Sequence, residues 1–156
     1  MPKRVPPQAQ EFNGDGYRAA ATEHIVVANE LFDDGRYVLS NYLAGVSAEC
    51  IFRAYRFRID PEFDARHDLL KLYRMAKFSE VSPRDRENEY AAYVGTVAAQ
   101  WSNNHRYRSE RALRAHLKQG RLDRGMKGDF LRELTRRCVH AATEIVTLGV
   151  AKWPHS

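Results

Sequence analysis

The chain has 156 residues, 44% of them hydrophobic and 29% charged, which suits one globular domain whose core needs no staples. Its apolar runs are too short to cross a bilayer and no apolar stretch follows the charged N-terminus, so the expectation is a cytoplasmic protein with no membrane contact. The net charge of +5 is uneven: Trp101 to Lys127 holds eight basic residues against Glu110 and Asp123, an excess that points to an anionic partner.

Residues 1–14 carry three of the six prolines and little apolar content, and read as a flexible tail. The domain is expected to run from 15 to 153. Asp15 is the expected N-cap of a first helix, about Tyr17 to Asp33, on the repeat Tyr17, Ala21, Ile25, Ala28, Phe32. Asp33-Asp34-Gly35 ends it. A second helix, about Arg36 to Ile59, has so broad an apolar surface (Leu39, Leu43, Val46, Cys50, Ala54, Phe57, with Tyr42, Ile51, Tyr55, Ile59) that it must be central. Its small residues Ala44, Gly45, Ser47 and Ala48 invite close approach by another helix. Glu49, in the middle of it, needs a partner, and an arginine is the expected one.

Asp60-Pro61 breaks the pattern. Asp64 to Asp68 opens a short helix carrying Leu69, Leu70, Leu72 and Tyr73, with His67 and Asp68 read as capping residues. Ser82-Pro83 starts a helix that runs to about Ser102 on Tyr90, Val94, Val97 and Trp101. Ser109 caps a short helix to about Gln119. Gly120, Gly125 and Gly128 mark a loop. The last helix, about Asp129 to Val150, has the cleanest stripe: Leu131, Leu134, Cys138, Ala141, Ile145, Leu148. No strand pattern is present. The expected fold is all-α: an up-and-down four-helix bundle with two additional short helices. Cys50 and Cys138 fall on apolar faces and read as buried, reduced thiols.

No nucleotide-binding glycine loop, nucleophile elbow or zinc-protease motif occurs, and no Cys/His cluster has zinc spacing. No cofactor and no metal are therefore expected. Chemistry would rest on the stretch Gln100 to Ser109. His105 titrates near neutrality and can move protons. Arg106 can stabilise charge on a phosphorus, Asn104 can orient a phosphate or hydroxyl, and Tyr107 can stack on a base. The alternative is structural: Asn103-Asn104 as a helix C-cap, Arg106 in an ion pair, Tyr107 at the edge of the core. Beyond it, Arg108, Arg111, Arg114 and Lys118 line one helical face, with Arg121 following, a phosphate-binding stripe or a solvated one.

Gly35-Arg36-Tyr37, Ser40 to Cys50, His67 to Leu72 and Arg106-Tyr107 together resemble the HEPN (higher eukaryotes and prokaryotes nucleotide-binding) domain over roughly residues 17–150. The resemblance implies a homodimeric four-helix bundle. It also implies a metal-independent endoribonuclease of a toxin-antitoxin or defence system, often beside a minimal nucleotidyltransferase. In that family an Arg precedes the catalytic His by four to six residues, and two such sites meet across the dimer. His105-Arg106-Tyr107 matches the end of the motif, but the Arg position is Gln100. Arg111 with His116 is an intact match inside the basic segment; Arg18 with His24 is a chance one. The expected partner is RNA or a nucleotide. Two functions stay open: a ribonuclease using His105 or His116, and an inactive module that binds RNA or docks a protein through the basic face.

Overall fold

The computed structural model describes residues 12–62 and 66–154. Among these the chain is all-helical and contains no strand. Six α-helices follow in order: α1 (Gly14–Asp33), α2 (Tyr37–Ile59), α3 (Leu69–Met75), α4 (Glu87–Gln100), α5 (Glu110–Gln119) and α6 (Phe130–Ala151). Short 3-10 turns lie at Phe78–Glu80, Arg84–Arg86 and Asn103–Tyr107. No described helix is long and apolar enough to cross a membrane.

The boundaries follow local chemistry, with three shifts from expectation. Asn13, not Asp15, caps α1: its Oδ1 accepts the Gly16 N–H at 2.8 Å, so the helix starts three residues early and Asp15 sits in its favoured first turn. Asp68 caps α3 as expected, accepting from the Lys71 N–H at 3.0 Å; Asp64 and Ala65 lie outside the described residues. Ser82-Pro83 leads into a 3-10 turn and α4 begins at Glu87, ending at Gln100 because Trp101 turns extended. Asp129 caps α6, its Oδ1 accepting from the Leu131 and Arg132 N–H groups.

The short link Asp34–Arg36, with Gly35 at φ +76, folds α2 back on α1. Those two helices share the most extensive contact in the molecule. α6 packs against α2, α4 and α1. Small residues make the α1–α2 approach possible: Ala21 and Ala28 meet a helix whose Ser40, Ala44 and Ala48 are fully buried, and Ser40 Oγ donates to the Ala28 carbonyl at 2.7 Å. Gly45 serves a different neighbour. A Cβ there would run into the Trp101 ring, whose Nε1–H donates to the Tyr42 carbonyl at 3.0 Å. Trp101 thereby seats the α4–α5 connection on α2.

Two cores result. The larger joins α1, α2, α3, α4 and α6, and includes edge-to-face contacts of Phe78 with Phe52 (5.0 Å) and Tyr55 (5.3 Å); each ring fully buried there contributes about 1.5–3 kcal/mol. The smaller joins Leu113 and Leu117 of α5 to Leu131 and Leu134 of α6, edged by Tyr37, Val38 and Phe130. Cys138 is buried, Cys50 half-buried, and both are free thiols pushed up to about 12 by burial.

Candidate nucleic-acid interface

Because Leu113 and Leu117 face inward, the opposite side of α5 must face solvent. Ser109 starts the helix by accepting the Ala112 N–H on its hydroxyl at 3.2 Å. Arg111, Lys118 and, past the end of the helix, Arg121 and Arg124 are exposed, and Arg111, Arg121 and Arg124 carry no ion pair among the described residues. Lys118 lies over the Phe130 ring at 5.4 Å with its charge still outward.

Arg114 differs from the others. Its guanidinium pairs with Glu110 and with Asp129, each at 3.1 Å, and these bonds, Asp129 first, raise its already high pKa. Two carboxylates against one guanidinium more than cancel its charge, so Arg114 adds no positive charge to the expected binding stripe. Arg108 is half-buried, with its Nε enclosed and unpartnered.

The connection into α5 also divides. Asn103 to Tyr107 forms a 3-10 turn capped by the Ser102 hydroxyl, which accepts the Asn104 N–H, so Asn103-Asn104 is not a helix C-cap. Arg106, Tyr107 and Asn104 point outward. Tyr107 is 75% exposed, the most exposed of the large apolar side chains among the described residues, and the Arg106 guanidinium stacks on its ring at 4.6 Å. An exposed ring with a cation on one face is a platform for a nucleobase on the other.

His105 is the opposite case. It is 1% exposed, and its Nε2–H donates to the Gln100 carbonyl at 2.6 Å. Burial lowers its pKa to about 4; the bond to Gln100 opposes that shift, and Arg108 and His116 add to it. A neutral ring whose one N–H is committed inside the fold cannot exchange protons with an external substrate, so the expected acid/base role fails in this conformation. Gln100, at the position where the resemblance implies an arginine, is itself buried.

His116 sits edge-on to His105 with ring centroids 5.5 Å apart, half-buried, its pKa lowered by burial and then by Arg108. Arg111 and His116 lie on one continuous helix five residues apart, about 140° round its axis, so they do not converge as a pair.

One arrangement of chemical interest escaped the sequence pattern. Glu49 of α2, its side chain only 8% exposed, accepts from His67 Nδ1–H at 2.7 Å and lies 3.6 Å from Arg53. The imidazole is 49% exposed, and with Nδ1 committed its Nε2 carries the lone pair whenever the ring is neutral. A buried carboxylate orienting an accessible imidazole is the arrangement of a general base. The unpaired-looking carboxylate inside an apolar helix was the signal for it. The expected arginine is present at Arg53, but the shorter bond goes to His67, which is no cap. Among the described residues no three or more His, Cys, Asp or Glu gather as metal ligands. No family model, curated protein or solved structure matches the chain.

Proposed function

We propose that the protein is a HEPN-like, RNA- or nucleotide-associated helical bundle of up-and-down type that binds RNA through the outer face of α5 and the turn before it. The observation that carries this is the set of exposed cations Arg111, Arg121 and Arg124, with no ion pair among the described residues, together with the exposed Arg106–Tyr107 stack before α5. Spaced cations contact successive phosphates and an open ring stacks a base, which is how single strands are held without sequence readout. A role in a toxin-antitoxin or defence system, a homodimer and a minimal nucleotidyltransferase partner are carried by the resemblance.

Fluorescence anisotropy with a short single-stranded RNA tests the proposal. Affinity should fall steeply with salt, and Arg111→Glu with Arg121→Glu should weaken binding by at least about tenfold and flatten the salt dependence. Wild-type protein that fails to bind RNA at low salt would sink it.

The Glu49–His67 pair favours a second function, metal-independent cleavage. The burial of His105 removes one of the two proton carriers expected from the sequence, His105 and His116, and His67 supplies another. RNA incubated with the protein in EDTA should then be cut, and both His67→Ala and Glu49→Gln should reduce the rate about 100-fold or more. Intact RNA in the wild-type reaction leaves binding as the function.

A further inference from the structure

Between α5 and α6 the chain turns twice through glycines, Gly125 at φ +74 and Gly128 at φ +82. This turn and the first turns of α6 border an open cleft of about 670 Å3, lined by Phe32, Lys127, Asp129, Arg132, Glu133 and Arg136 among others. The volume is that of a small-ligand site. Arg137 also lines it, so four cations face two carboxylates.

Both carboxylates are already engaged. Asp129 accepts from the Leu131 and Arg132 N–H groups and pairs with Arg114. Glu133 pairs with Arg136 at 2.6 Å and Arg137 at 3.1 Å, and Arg136 foremost holds it down at about 2. Lys127 and Arg132 have no ion pair among the described residues. Since Asp129 occupies the first N–H groups of α6, any anion here is held by these two side chains and not by the helix end. Phe32, tilted against Tyr37 at 5.4 Å, gives the cleft an aromatic wall. The exposed cations Lys118, Arg121, Arg124 and Lys127 follow one another along the chain from the end of α5 to the cleft, which Lys127 lines.

We propose that this cleft takes the 5′-phosphorylated end of a strand lying along α5, with the phosphate monoester on Lys127 and Arg132 and its nucleoside against Phe32. A monoester carries close to two negative charges at neutral pH, which matches two unpaired cations better than a backbone diester does. The strand's path rests on the RNA-binding function proposed above; the monoester site itself does not.

The test has two arms. In NMR titrations, adenosine 5′-monophosphate should shift the amides of Gly125 and Gly128 while adenosine leaves them in place. In anisotropy, RNA bearing a 5′-phosphate should bind about tenfold tighter than the same RNA with a 5′-hydroxyl, the gain expected of one charge-assisted contact pair. Lys127→Ala with Arg132→Ala should bring the first RNA down to the level of the second, whereas Arg111→Glu should weaken both and keep their ratio. No amide response to the monophosphate overturns the proposal, and so do two RNAs bound equally tightly. A response to the monophosphate with no RNA binding at all would retain the cleft site and remove the α5 function.

Discussion

His105 shows how a side chain's chemistry is decided by what surrounds it. Its residue type and its neighbours Asn104, Arg106 and Tyr107 mark it as reactive, and its burial makes it structural. With its pKa at about 4 in the fold against an ordinary 6.5, the unfolded chain binds a proton between those values that the folded chain refuses. Stability from this residue is therefore complete above pH 6.5 and is lost as pH falls toward 4, by roughly 3 kcal/mol at the foot of the window. His116, lowered in the same direction, adds to the slope. Urea midpoints measured from pH 4 to 7 should fall less steeply for His105→Gln than for wild type. Equal slopes would show that His105 is not the buried neutral group described here. His67 carries the opposite lesson: read as a cap, it is the imidazole that a buried carboxylate orients and solvent reaches.

At the scale of the element, α5 was legible because its apolar and basic residues separate cleanly at helical spacing. Which of its cations are available was not legible, because pairing depends on a second element. Arg114 is silenced by Asp129, the cap of α6, fifteen positions on, and no pattern within α5 reveals that. Glu110, on the same helix, pairs with Arg114 from the other side. Glu110→Gln should therefore strengthen RNA binding by about threefold, since it removes an acid beside the face and releases half of Arg114. Anisotropy at constant salt reads this, and a loss of affinity would mean that the strand does not lie along α5. α4 was misjudged at both ends: Ser82-Pro83 has the composition of a helix start, yet the chain spends one 3-10 turn before α4, and Trp101 leaves the helix to reach Tyr42 and Gly45.

At the scale of the molecule, the ends of the described chain meet. Trp153 is buried after α6, edge-on to Tyr55 at 5.1 Å and beneath Arg58 at 5.2 Å, and its Nε1–H donates to Asp15 at the start of α1, 138 residues away in sequence. Trp153→Ala should cost about 3–5 kcal/mol, measured by urea unfolding followed on Trp101. Asp15→Asn, which keeps a hydrogen-bonding oxygen, should cost under about 1 kcal/mol. If the two variants proved equally stable, the closure would be incidental to the fold.

Helical periodicity, the breaks at Gly35 and Asp60-Pro61, the central character of α2 and the basic bias of residues 101–127 are all written locally, within one or two turns of chain, and were readable from the sequence. Burial is not local. Whether His105 faces water, which acid silences Arg114, and that His67 would find Glu49 were settled only when the helices packed, because each depends on atoms brought from elsewhere along the chain.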